Sequence, residues 1–312
     1  MHVAERNAWK GIGCKMGNCD NKNYEIYIDV SVDLDTKFLE ENNIHLMKMH
    51  YSVGDEQLLY QQRPTDEFLH DFYDKMRGGA SSGTSQITPN TYEEVFAEHI
   101  QKGEGVLYIS LSSGLSNTYA SSLLAIENLQ EKYESVAVES VDSLAATGGM
   151  GLALILAVKN RKQGMTLKEN AEFLRSHMKE ICHWFMVDDL MFLKRGGRVS
   201  ATTAIVGSAL NVKPVLKIDD DGKLVTISKQ RGLAKTVKYM LSNYMEAKDS
   251  SLGREVIIVH GDCAERAETL KMQLLEMDPE AQVEVCMLGP VIGAHTGPGM
   301  LAIVHFGNRN FA

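Results

Sequence analysis

Residues 105–132 read Gly-Val-Leu-Tyr-Ile-Ser-Leu-Ser-Ser-Gly-Leu-Ser-Asn-Thr-Tyr-Ala-Ser-Ser-Leu-Leu-Ala-Ile-Glu-Asn-Leu-Gln-Glu-Lys. A short run, Gly105–Leu111, apolar but for Ser110, gives way to a hydroxyl-rich loop, Ser112–Ser116, and then to apolar residues at helical spacing from Asn117 to Lys132. A strand that is apolar on both faces is one covered on both sides, and a strand followed directly by a helix is half of a crossover unit. The pattern recurs on both sides of this stretch. Tyr24–Val30, Ile44–Val53 and Val136–Val141 read as further strands, with helices expected over Thr36–Glu41, Thr65–Met76 and Thr91–Gln101. Pro64 and Pro89 stand where a helix can begin. Such alternation predicts a mostly parallel, covered sheet.

Further along, Ser143–Lys162 reads as one long buried helix, with Gly148, Gly149 and Gly151 allowing it to pack closely on the sheet. Helices are expected over Leu167–Lys179 and Ala264–Leu275, and strands over Ile181–Val187, Glu255–His260, Gln282–Leu288 and Met300–Gly307. Val215–Asp219 and Lys223–Ser228 flank Asp220-Asp221-Gly222, a hairpin signal because Asp-Gly accepts positive φ. The second half is therefore expected to hold a mixed sheet with helices. A polar extension over residues 1–23, an N-terminal α/β domain over 24–163 and a C-terminal α/β domain over 164–312 follow, with a ligand expected in the cleft between the two domains.

Composition narrows the function. The chain has 312 residues, 44% hydrophobic, and a formal net charge of −9. An acidic chain of this kind is a poor fit to nucleic acid, whose phosphates need a basic surface. Five scattered cysteines (14, 19, 182, 263 and 286) make no disulfide framework, and Cys14 and Cys19 lack the second pair that a zinc site needs. Met1–Asn23 holds no apolar run long enough for a signal core, and no later stretch reaches the length of a membrane span. A soluble, cytoplasmic protein is expected, with no stable membrane insertion, metal or cofactor. Gly11-Ile12-Gly13 does not follow a strand, and no phosphate loop of the Gly-x-x-x-x-Gly-Lys type is present, so the chain is not expected to bind ATP.

Four segments carry chemistry. Gly83–Pro89 sets the hydroxyls of Thr84 and Ser85 ahead of a helix, whose free N–H groups suit an anion. Ser112 and Ser113 fall at the carboxyl edge of a parallel sheet, where open α/β folds bind ligands. Lys194-Arg195-Gly196-Gly197-Arg198 gathers three cations in one turn, and His295-Thr296-Gly297-Pro298-Gly299 puts an imidazole and a hydroxyl in a tight turn before the last strand. A serine hydrolase using Ser112 or Ser113 with His295, oriented by Asp142, is the rival reading. It lacks the upstream glycine of the Gly-x-Ser-x-Gly elbow.

In order and spacing these segments resemble the DegV family over about Tyr24–Gly307. The marks are Thr84-Ser85-Gln86, Ser112–Ser116 with Thr118-Tyr119, Asp142-Ser143 with Gly149 and Gly151, Leu193–Ser200, Asn211 with Lys213-Pro214, and His295–Gly299. The sequence departs from the family at Val30, where a hydroxyl is usual, and at Ile87, where proline is common. The resemblance implies two α/β domains clasping one long-chain fatty acid, which is presented to the catalytic subunit of a fatty acid kinase. It puts head-group contacts on Thr84, on Ser113 or Ser112, and on His295 with Thr296. Arg195 or Arg198 would lie near the head group or on the surface that meets the kinase. Sixteen methionines suit a deformable tunnel wall as well as an ordinary core.

Overall fold

The computed structural model describes residues 22–200 and 211–311. Cys14, Cys19 and nearly all of the N-terminal extension lie outside the described residues.

The chain opens with β1 (Tyr24–Asp29), a 3-10 turn over Val30–Val32, α1 (Thr36–Glu41) and β2 (Ile44–Met47). After an antiparallel excursion it continues through α3 (Pro89–Lys102), β6 (Gly105–Ser110), α4 (Thr118–Lys132) and β7 (Val138–Asp142). These strands form a four-stranded sheet in the order β2-β1-β6-β7, every pair parallel. All six residues of β6 are buried, as expected of a central strand covered on both faces. The loops after β1 and β6 lead to strands on opposite sides, so the crevice between these two carboxyl ends is the topological switch point.

The excursion corrects the expected strand Ile44–Val53. The chain breaks at Lys48: β2 stays in the parallel sheet, while β3 (Met49–Val53) starts a separate antiparallel sheet with β4 (Glu56–Tyr60) and β5 (Ser82–Thr84), ordered β4-β3-β5. Val53 pairs with Glu56, so Gly54-Asp55 is a two-residue turn, and Gly54 takes the positive φ (57°) that such a turn needs. Helix α2 (Asp66–Arg77) joins β4 to β5 and is capped by the Thr65 hydroxyl.

The long helix is shorter than expected. Residues 143–147 form a loop with positive φ at Leu144 and Thr147, and α5 runs over Gly148–Lys162. A Cβ on Gly148 would meet Ile257 at 2.8 Å, and one on Gly151 would meet Leu34 at 2.9 Å. The glycines therefore seat α5 between the parallel sheet and the second sheet, rather than on the first alone. Next, α6 (Leu167–His177) is closed by a capping box of Thr166 and Glu169 and packs back on β6 and β7.

The second sheet has six strands in the order β10-β9-β8-β13-β11-β12. These are β8 (Ile181–Met186), β9 (Val212–Ile218), β10 (Leu224–Arg231), β11 (Glu255–His260), β12 (Gln282–Met287) and β13 (Leu301–Phe306). Only β11 and β12 pair in parallel, and the β9–β10 hairpin turns at Gly222 (φ 74°). Three helices beyond those expected belong here: α7 (Leu190–Arg195), α8 (Leu233–Ala247) and α10 (Pro290–Thr296); α9 (Ala264–Met277) was expected. The parallel sheet, the mixed sheet and their helices make a two-domain α/β fold. No described helix is long and apolar enough to cross a membrane.

Candidate functional site

Between the two large sheets lies a cavity of about 210 Å³. Leu111 and Leu115 reach it from the switch point, Met49 from the small sheet, Val291 from α10, and Phe185 and Ile218 from the mixed sheet. Most of the wall is hydrocarbon. One set of polar groups converges on it from three bodies: Thr84 and Ser85 at the end of β5, His295 and Thr296 in the last turn of α10, and Arg198 just after α7.

Thr84 Oγ1 and His295 Nε2 share a hydrogen bond of 2.8 Å. His295 belongs to the helix and not to the turn expected for it; Gly297 (φ 74°) ends the helix and Gly299 (φ 81°) turns the chain into β13. Burial, reinforced by repulsion from Arg198, pulls the His295 imidazole down to about 4. The ring is therefore neutral at pH 7, with one N–H donor and one acceptor. Its Nδ1 is buried without a hydrogen-bond partner among the described residues, against Gly196, where a Cβ would come within 2.3 Å. An unpaired buried lone pair costs less than an unpaired buried N–H, so the proton belongs on Nε2. His295 then donates to Thr84, and the Thr84 hydroxyl proton is free to point into the cavity.

Arg198 is half-buried, and burial lowers its pKa. Its Nε donates to the Leu115 carbonyl at 3.2 Å and its Nη1 to the Gly196 carbonyl. No carboxylate pairs with it among the described residues. A guanidinium that faces an apolar cavity with only carbonyl partners makes that end electropositive. The Thr296 hydroxyl is already committed, donating to the Ile292 carbonyl at 3.2 Å.

Three expected site residues fall elsewhere. Ser112 is fully buried but shapes the loop: its Oγ donates to the Gly222 carbonyl at 2.8 Å and accepts from Gly114 N–H. Ser113 is exposed and its N–H donates to Asp142 Oδ1. Arg195 is exposed, donates to the Met191 carbonyl and lies 4.6 Å over the Phe192 ring. The hydrolase reading is corrected by the same geometry. His295 is bonded to a threonine, Ser113 does not line the cavity, and Asp142 accepts from the backbone of Ser113 and Leu144 instead of orienting an imidazole.

Five polar wall residues were not among the expected contacts: Gln86, Ser116 and Asn117, beside two with less signal in the sequence, His183 and Thr147. His183 sits in the apolar run of β8, and burial draws it down to about 3; its Nε2 faces the Ala146 carbonyl at 3.3 Å. Thr147 holds φ 46° and ψ −120° at the start of α5, a conformation costly for a β-branched residue. A lone histidine in an apolar strand is the only signal for His183, and the sequence carries none for Thr147.

Fold and site together define a two-domain α/β protein with a mostly apolar cavity between its two large sheets, lined in common by Thr84, His295 and Arg198. The family model described as "Uncharacterised protein, DegV family" matches residues 23–308, and the chain belongs to the DegV family. A DegV domain-containing protein of Streptococcus pyogenes is 36% identical, over 92% of this chain and 99% of the relative. Among solved structures, a Bacillus subtilis protein described as DegV, a fatty acid binding protein, superimposes with a TM-score of 0.77 at 26% identity, covering 90% of this chain and 98% of that one. A DegV lipid binding protein from Thermotoga maritima gives 0.76 at 25% identity, covering 90% and 97%.

Proposed function

We propose that this chain binds one long-chain fatty acid between the halves 24–163 and 164–312. It would act without catalytic machinery of its own, in the cytoplasm, and present the acid to a separate ATP-dependent kinase for acyl-phosphate formation. The observation that carries the reading is the make-up of the cavity, a mostly apolar wall on which a hydroxyl, a neutral imidazole and a guanidinium with no acidic partner among the described residues come together. The described fatty-acid-binding character of the Bacillus subtilis relative supports it.

In this reading the carboxylate takes a hydrogen bond from Thr84, oriented by His295, and lies in the field of Arg198. Ser85 and Thr296 flank the head group. Ser112 and Ser113 act on it through the shape of their loop, and exposed Arg195 belongs to the face that meets the kinase. Burying about fourteen methylenes at roughly 0.8 kcal/mol each gives on the order of 11 kcal/mol before ordering costs. Each hydrogen bond to a charged group adds only about 1.5–3 kcal/mol net. The tail therefore supplies affinity and the head group supplies orientation.

Solvent extraction and native mass spectrometry of the purified protein test this directly. A co-purified acyl chain, or uptake of added oleate at one per chain, is the expected result. A protein that carries none and takes up none refutes the reading.

A further inference from the structure

We infer that Asp33 is a positioning residue of the head-group site, its buried carboxylate fixing the two bodies that carry Thr84 and His295 relative to each other. The inference rests on the fatty-acid reading and names what holds that clamp in register.

Asp33 follows the 3-10 turn after β1, is 3% exposed, and holds a left-handed backbone (φ 57°) that aspartate tolerates better than most residues. Its Oδ1 accepts from the Gly289 N–H at 2.9 Å and from the Tyr60 hydroxyl at 3.4 Å. Gly289 is the N-cap of α10, whose last turn carries His295. Tyr60 is the last residue of β4, in the small sheet whose β5 ends at Thr84. One oxygen thus ties the near ends of the two bodies. Their far ends are tied by the Thr84–His295 bond itself and by the Ser82 hydroxyl, which donates to the Ala294 carbonyl at 2.8 Å. With seven residues, α10 spans roughly 10 Å, a short rod held at both ends.

The approach at the Asp33 end is close. A Cβ on Gly289 would come within 2.3 Å of Tyr60 Oη and 2.6 Å of Asp33 Oδ1; one turn on, a Cβ on Gly293 would come within 2.5 Å of Tyr73 Oη. The spacing Gly289-Pro290-Val291-Ile292-Gly293 therefore lays the helix directly on two tyrosines. The carboxylate also touches the cavity wall. Asp33 Oδ2 lies near Thr147, a lining residue, and neither Asp33 Oδ2 nor the Thr147 hydroxyl makes a hydrogen bond among the described residues. Without the Oδ1 acceptor, the Gly289 N–H becomes an unpaired buried donor and α10 must shift to recover it. Any such shift is transmitted along the rod to the 2.8 Å contact on which the head group depends.

The readout that separates positioning from general structural support is the preference for a free acid over its methyl ester, measured with cis-parinaric acid and methyl cis-parinarate by fluorescence. The wild-type chain is expected to prefer the acid by about tenfold or more. Asp33→Ala should reduce this to about threefold or less with ester affinity nearly unchanged, and Asp33→Asn, which keeps an acceptor at Oδ1, should restore it. An undiminished preference in Asp33→Ala, or equal loss of acid and ester, overturns the inference. Should Asp33→Ala be insoluble, Tyr60→Phe decides: a fall in the preference supports the inference and an unchanged preference overturns it. If the wild-type chain binds neither probe, the fatty-acid reading fails and this inference with it; a wild-type chain that binds and discriminates, beside variants that do so equally, sinks this inference alone.

Discussion

Thr84→Val is the sharpest probe of the head-group site, because valine keeps the shape of threonine and removes only the hydroxyl. Two bonds go at once: the one shared with His295 at 2.8 Å, and the one that hydroxyl would give to a bound carboxylate. The hydrogen bond to a charged acceptor is worth about 1.5–3 kcal/mol net, so the fatty acid should bind roughly 10- to 150-fold more weakly. The His295 Nε2–H is left unpaired in the free and bound protein alike, so it destabilises the fold without altering binding of a neutral ligand. Methyl oleate should therefore bind within about threefold of its wild-type affinity, since in the proposed mode a buried tail would supply on the order of 11 kcal/mol gross and an ester gives Thr84 no charged acceptor. Isothermal titration with oleate and methyl oleate, beside thermal melts of each variant, separates the terms. Equal weakening of acid and ester would show that Thr84 supports the wall and does not hold the head group, and an unchanged oleate affinity would move the carboxylate elsewhere.

Ser113→Ala should leave oleate affinity and melting temperature unchanged, whereas Ser112→Ala should cost about 1–2 kcal/mol in chemical denaturation by orphaning the Gly222 carbonyl; a large loss of binding in Ser113→Ala would contradict its exposed position. Gly149→Ala should destabilise by about 1–3 kcal/mol or more, because the added Cβ would lie 2.2 Å from His183 Nε2 between α5 and the mixed sheet; a melt within error of wild type refutes the close packing. Acidification from pH 6.5 towards 4.5 should destabilise the protein: His183, His295 and His305, held at about 3, 4 and 4, contribute stability that is present above their ordinary 6.5 and lost as pH falls. Asp29 and Asp33, raised to about 6 and 7, oppose this, since their contribution is lost as pH rises; His260, also lowered by burial, adds to the histidine side, so the net effect of acidification is a loss of stability. Asp33→Asn should steepen that loss, and a flat denaturation profile over this window would refute the balance.

The parallel sheet was open to reading because β6 carries its own evidence: a mostly apolar run, a loop and an amphipathic helix leave little but a crossover unit. The small antiparallel sheet was not, because Met47, Met49, Tyr51 and Val53 keep burying alternate residues through Lys48, and hydrophobic period says nothing about a change of partner strand. The loop before α5 was hidden for a related reason. Ser143–Thr147 is as buried as the helix it precedes, and burial alone does not distinguish helix from buried coil. Thr84, His295 and Arg198, which the structure brings to one cavity, could be singled out in the sequence because hydroxyl, imidazole and guanidinium stand out in glycine-rich turns. Ser112 stood out equally, yet its hydroxyl serves the Gly222 carbonyl, a partner 110 residues away that no local pattern reveals.

That contrast follows from how the site is assembled. Each polar residue comes from a different body: Thr84 from the small sheet, His295 from a helix of the second half, Arg198 from the turn after α7. None is placed by its neighbours in sequence, so their chemistry is legible one by one while their meeting is not. What brings them together is a set of buried contacts far from any motif, the Asp33 carboxylate on Gly289 and Tyr60 and the glycines that let α10 lie against tyrosines. A head-group site of the kind proposed would keep its contacts only while the two large sheets and the small sheet hold their relative positions. An acyl tail buried in the wall between them would itself contribute to that hold, because its apolar surface is shared by all three. Binding energy from the tail would then also order the clamp, and a shorter fatty acid should show a weaker preference for acid over ester than a long one.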